Sequence, residues 1–198
     1  MWAVVGLGNP GRRYEDARHN AGFIFIRRVA KAWDVRVKKR RFLSKTAEVK
    51  RGPERVVLAM PQTFMNASGR AVRELLLGLD LEPGRLLIVY DDIDIPLGEV
   101  RIRKEGGPGT HRGMMSIVQE IETTRFPRIR IGVGPAGADT DLVAFVLSPF
   151  RRAEKALLEE SLGLAREALE MIIAGRIDQA MNAYNSGRES LRISVAET

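Results

Sequence analysis

A chain of 198 residues, 44% hydrophobic and 29% charged, has ordinary globular composition and room for one domain with a sizeable core. It contains no cysteine, which excludes a disulfide framework, a thiol nucleophile and a thiolate metal site, and no apolar run approaches the roughly 20 residues of a membrane span. The formal charge of +7 favours a polyanionic partner, because clustered Lys and Arg release counterions from phosphates.

In chain order, "WAVVG" at 2–6 reads as a buried strand, followed by a loop to Asp16 punctuated by Gly8, Pro10 and Gly11. A helix is predicted after Asn20, where Phe23, Ile26, Val29, Ala30 and Trp33 recur at helical spacing. Strands follow at about 44–50 and 55–60, then an amphipathic helix from Ser68 to Gly78. "RLLIVYD" at 85–91 reads as a central strand, "EVRIRK" at 99–104 as a half-exposed one, and Thr110 to Glu122 as a helix. Further strands are expected at 128–133 and 142–147. A long helix is expected to open at Ser148-Pro149 and run to about Gly175, with a short last helix over Ile177, Ala180, Met181 and Tyr184. This alternation predicts a single three-layer α/β domain over 1–185, a twisted, mostly parallel mixed sheet flanked by helices, with a tail at 186–198. The amino-terminal stretch "MWAVVGLG" lacks the features of a secretory signal, so a cytoplasmic protein with no membrane partner is expected.

Two basic groups stand out. One holds Arg36, Lys38, Lys39, Arg40, Arg41, Lys45, Lys50 and Arg51, and the other Arg101, Arg103, Lys104, Arg112, Arg125, Arg128 and Arg130. Taken alone, "VKKRRF" reads either as a solvated strand edge or as a phosphate-binding surface.

"GLGNPG" at 6–11 formally satisfies the dinucleotide-binding pattern. However, Pro10 and Gly11 lead into a charged loop before any helical periodicity begins, and no acidic residue closes the next strand, so that reading is rejected. Asn9 at this strand exit either caps the turn or meets a ligand. Asn66 follows a strand and precedes a helix, as a helix cap would. Asp91 ends the most apolar strand. With Asp92 and Asp94 it brings a magnesium site to mind, but Asp92 points away from Asp91 in extended chain and no second acidic cluster supplies ligands. Asn9, Asn66 and Asp91 converge on the carboxyl edge of the sheet, where open α/β sheets bind ligands. His19, one of only two histidines, stands beside that edge, and with Asp91 matches a base and its orienting carboxylate. With no serine elbow and no cysteine, water is the nucleophile. "RKEGGPGTHRG" at 103–113 reads as a basic, glycine-rich loop whose free N–H groups at a helix start form an anion site, with His111 as a helix-start or packing residue.

Together, "VVGLGNPG", "RHNAGF", "TFMNASG", "YDDIDIPLG", "RIRKEGGPGTHRG" and "FPRIRIGVG", in this order, resemble the bacterial-type peptidyl-tRNA hydrolases over about residues 2–185. The resemblance implies a monomeric esterase without metal or cofactor that cleaves the bond between peptide and tRNA and so recycles tRNA. It implies His19 as base, Asp91 as its orienter, and Asn9, Tyr14, Met65 and Asn66 as substrate contacts. It also implies Arg103 and Arg130 as a clamp on a tRNA phosphate. Arg112 stands where the family usually has asparagine, and is read as a substrate contact of a different, electrostatic kind. A non-catalytic RNA-binding relative of the same fold is the alternative.

Overall fold

The computed structural model describes residues 1–137 and 139–185, so the expected tail at 186–198 lies outside the described residues. A seven-stranded sheet of order β2-β3-β4-β1-β5-β7-β6 is built from β1 (Trp2–Gly6), β2 (Lys39–Arg41), β3 (Ser44–Arg51), β4 (Glu54–Pro61), β5 (Leu86–Pro96), β6 (Val100–Arg103) and β7 (Arg128–Gly134). β4, β1, β5 and β7 pair in parallel, and the antiparallel pairs β2–β3, β3–β4 and β6–β7 make the sheet mixed. The helices are α1 (Ala21–Ala32), α2 (Ser68–Leu79), α3 (Arg112–Ile121), α4 (Leu142–Leu147), α5 (Lys155–Ile173) and α6 (Ile177–Tyr184).

Side chains alternate across a strand, so β1 sends Trp2 and Val4 to one face and Ala3 and Val5 to the other. The first face packs against α1, α5 and α6, the second against α2 and α3. Both faces are covered, which is why β1 and the first half of β5 are unbroken apolar runs. On α1, Phe23, Ile26, Val29 and Ala30 form one buried stripe at helical spacing. Each large side chain so buried contributes about 1.5–3 kcal/mol relative to exposure.

Glycine sets where α1 begins. A Cβ on Gly22 would stand 2.4 Å from both the Leu7 nitrogen and the Val89 oxygen, and one on Gly6 would stand 2.1 Å from the Gly22 oxygen. Only hydrogen fits at either place, so the start of α1 lies directly on the exit of β1 and on the apolar half of β5. Two 3-10 turns, Arg12–Tyr14 and Arg18–Asn20, separate β1 from α1. The glycine-rich motif therefore opens no helix, in agreement with rejecting a dinucleotide site.

Three sequence expectations give way. Residues 142–147 form α4 and not a strand: the Asp141 carboxylate accepts from the Val143 and Ala144 N–H groups, and this cap overrides the β-branched composition. The long helix does not open at Pro149 but at Lys155, after a 3-10 turn over Arg152–Glu154. Ser148–Phe150 instead runs extended beside Asp16–Arg18, with Arg18 N–H donating to Ser148 O and Phe150 N–H to Asp16 O. The third is an omission: β2 is an edge strand of three charged residues, without the apolar alternation that marks a strand in sequence.

Gly22→Ala should cost at least about 2 kcal/mol, because the new methyl meets backbone on two strands and neither can retreat. Urea unfolding of the variant checks this, and a loss below about 0.5 kcal/mol would show that α1 can slide.

Candidate active site

The carboxyl ends of β1, β4 and β5 open into a cavity of about 670 Å³. At its base lies Asp91, 2% exposed at the end of the apolar half of β5. A carboxylate so buried needs donors, and two imidazoles supply them. His19 Nδ1 lies 2.9 Å from Oδ2, and His111 Nε2 lies 3.2 Å from Oδ1. Burial pushes the Asp91 carboxyl up, but the two imidazoles outweigh it and hold it well below the usual carboxylate range.

The His111 tautomer is fixed by its place at the start of α3. Its Nδ1 accepts the Met114 N–H at 3.2 Å, so Nε2 carries the hydrogen given to Asp91. That tautomer leaves Nε2 no lone pair for a cation, although His19, Asp91 and His111 offer ligand atoms within 4.8 Å of one another. The ionised Asp91 likewise requires the hydrogen of His19 on Nδ1, which leaves Nε2 of His19 as an acceptor. The two rings stand 4.8 Å apart and tilted by 53°, and the Tyr90 ring also lies 4.8 Å from that of His111.

Asparagines knit the strand exits together. The Asn9 N–H donates to Asn20 Oδ1 at 2.8 Å and Asn20 Nδ2 returns a bond to Asn9 O at 3.0 Å, a reciprocal pair that places the turn carrying His19. Asn9 Oδ1 accepts the Met65 N–H at 2.8 Å, which ties in the segment after β4. Asn9 thus fixes the local chain and also lines the cavity. Asn66 is exposed on the cavity wall and does not cap a helix, since Ala67 occupies the cap position of α2. Tyr14 and Met65 also line the cavity. Gly113 admits this packing, because a Cβ there would stand 2.5 Å from Met65 Sδ and 3.1 Å from the His111 ring.

One flank is basic. Arg103, Arg112 and Arg130 line it, and Arg130 Nε donates to Asp92 Oδ2 at 2.6 Å, so Asp92 serves an ion pair. Arg128, grouped with these in the sequence, plays a different part. It is 2% exposed and spends its guanidinium on the carbonyls of Gly106, Gly107, Thr124 and Phe126, which fixes the glycine-rich loop. The helix behind that loop starts at Arg112, later than expected, and its N–H groups are not all free because His111 takes that of Met114. Opposite, Leu142, Val143, Val146 and Leu147 of α4 form an apolar wall.

Sequence reasoning singled out His19, Asp91, Asn9, Tyr14, Met65, Asn66, Arg103, Arg112 and Arg130, and the structure brings all of them to one cavity. It missed the contact of His111 with Asp91, the Asn20 pair and Arg18. Arg18 is 3% exposed, donates to both Glu154 oxygens at 2.8 Å and to Pro149 O at 3.1 Å, and lies over the rings of Phe145 and Phe150. Only the basic helix-start loop gave a sign of His111, and nothing local marks Arg18.

An imidazole oriented by a buried carboxylate, at the carboxyl edge of a mixed α/β sheet and beside a cationic flank, defines a hydrolytic site for an anionic substrate. Comparison with known proteins gives the family. Residues 3–192 match the family model described as peptidyl-tRNA hydrolase, and the chain belongs to that family. The peptidyl-tRNA hydrolase of Alkaliphilus metalliredigens (strain QYMF) is 44% identical over 93% of this chain and 100% of its own length. That of Chloroflexus aggregans (strain MD-66 / DSM 9485) is 44% identical over 93% of this chain and 99% of its own. Among solved structures, peptidyl-tRNA hydrolase from Acinetobacter baumannii superposes with a TM-score of 0.87 at 32% identity, covering 93% of this chain and 95% of that one.

The depressed Asp91 carboxyl has a consequence for stability. A group whose folded value lies below its unfolded value contributes fully above the latter, 3.8, and loses that contribution as pH falls below it. Asp91→Asn should therefore be less stable than the parent near neutrality, with the difference shrinking as pH drops below about 4. Urea midpoints across that range measure it, and a difference constant with pH would show that the carboxylate is not selectively stabilised by folding.

Proposed function

We infer that the protein hydrolyses the ester between the peptide and the 3′ ribose of peptidyl-tRNA, with a water activated by His19. The observation that carries this is the Asp91 bond to Nδ1 of His19, a residue that lines the cavity, which leaves Nε2 as the acceptor. The water gives its proton to Nε2 as its oxygen attacks the carbonyl carbon. The tetrahedral intermediate then collapses, the bond to the ribose 3′ oxygen breaks, and Nε2–H returns the proton to that oxygen. With Oδ1 of Asn9 taken by Met65, its Nδ2 remains to donate to substrate, and Asn66, which also lines the cavity, adds a second amide. Tyr14 and Met65 complete the substrate surface.

Arg103 and Arg130 serve as the phosphate clamp of this reading. Asp92 holds Arg130 through Nε, so its two terminal nitrogens present a fork to a phosphate. Arg112, exposed at the first position of α3, donates to the substrate as negative charge develops. The same reading has the protein act as a monomer in the cytoplasm, recycling tRNA. A purely RNA-binding role is disfavoured, since it has no use for a base and its orienter. Among the described residues no helix is long and apolar enough to cross a membrane.

His19→Ala should lower kcat by at least about a hundredfold while leaving the affinity for deacylated tRNA nearly unchanged, because a base acts in the transition state. Release of peptide from N-blocked aminoacyl-tRNA measures it, and retention of a tenth of the activity would sink the mechanism. Arg112→Ala should lose about 1–3 kcal/mol in kcat/KM, as for a charge-assisted hydrogen bond, and weaken the salt dependence. Parent-like behaviour at every salt concentration would place the guanidinium in solvent.

A further inference from the structure

The basic run around β2 has no part in the cavity, yet its arrangement is unfavourable for a bare surface. Arg40 of β2 stands directly opposite Lys45 of β3, and Lys50 directly opposite Arg55 of β4, like charges in facing positions that cost stability. The acidic groups nearby are already engaged. Glu48 is shared by Arg41 and Arg55, Glu54 by the amino terminus and Arg85, and Glu170 pairs with Arg51. Among the described residues, Arg36, Lys38, Lys39, Arg40, Lys45 and Lys50 form no ion pair. Charge that only protected an edge strand from pairing would need fewer cations and would not face them against each other.

The ribbon is also held in a strained form. Phe42 and Leu43, the two residues of the turn between β2 and β3, have φ of 54° and 49°, which bulky side chains rarely adopt. Phe42 is wedged against Gly78 of α2, where a Cβ would stand 2.1 Å from its ring, and Leu43 O accepts the Gln62 N–H. The turn therefore sits at the exit of β4, on the same sheet edge as the cavity. β2 lies three strands from β1, about 14 Å at ordinary strand spacing, on the side away from Arg103 and Arg130.

We propose that the β2–β3 ribbon is a second phosphate-binding surface, which holds the duplex body of the tRNA whose 3′ end enters the cavity. The proposal rests on the hydrolase reading for its choice of RNA. Uncompensated cations facing each other, such as Arg40 and Lys45, favour a polyanion, and a sequence-independent backbone contact to a duplex needs no base recognition.

The test uses Arg40→Gln with Lys45→Gln in the full chain. Binding of deacylated tRNA should weaken roughly tenfold, with the salt slope falling by about one for each side chain. Hydrolysis of a short 3′-terminal fragment carrying a blocked aminoacyl group should match the parent, and thermal stability should not fall, because a repulsion has been removed. Unchanged tRNA affinity and slope would overturn the proposal, as would parallel losses on tRNA and fragment. A parent protein that cleaves neither substrate would instead refute the hydrolase reading, while the tRNA-binding comparison would still decide the ribbon.

Discussion

A buried carboxylate cannot remain ionised without donors, and that requirement organises the centre of this protein. Asp91, 2% exposed, ends the apolar half of β5 and takes one hydrogen from each of two imidazoles on different elements. His111 is held by the helix it caps, so it behaves as a fixed donor. Among the described residues His19 makes no such second bond at its other nitrogen, and the residue lines the cavity. The same carboxylate thus makes one histidine structural and leaves the other chemically available.

Placing those donors is a matter of backbone approach. Gly22 lets α1 touch both β1 and β5, and the Asn9–Asn20 pair then fixes the turn between them, so His19 arrives above Asp91. On the other side, Arg128 ties two carbonyls of the loop before α3, Gly106 and Gly107, to two of the segment after it, Thr124 and Phe126, and Gly113 lets that helix close on Met65. The functional groups are few, but each rests on a glycine or on a buried side chain that satisfies backbone.

Periodicity in the sequence was enough for the layered sheet, because β1, β5 and α1 carry their burial pattern in their apolar spacing. It failed at 142–147, where "LVAFVL" has the composition of a strand and only the Asp141 cap turns it into a helix. It failed at Pro149 too, since the extended run there is stabilised by Asp16 and Arg18, far away in the chain. The site showed the same division. His19, Asp91 and Asn9 were legible because chemistry-bearing residues sat at strand exits, and the motif resemblance placed Tyr14, Met65, Arg103 and Arg130. The second imidazole on Asp91 depended on how α3 docks, and the role of Arg128 on a loop whose path no local pattern reveals.

Arg18 adds an ordering in time. Among the described residues its side-chain bonds and ring contacts all come from residues 145–154, more than 125 positions downstream, and in sequence it adjoins His19. Closing so long a loop is among the slower, later events of folding. An emerging chain can form β1, α1 and β4, and tie the turn that carries His19 through the Asn9–Asn20 pair, long before Glu154 has been synthesised, but the Arg18 anchor of that turn forms only afterwards. The last ties beside His19 thus wait until most of the polypeptide has been made.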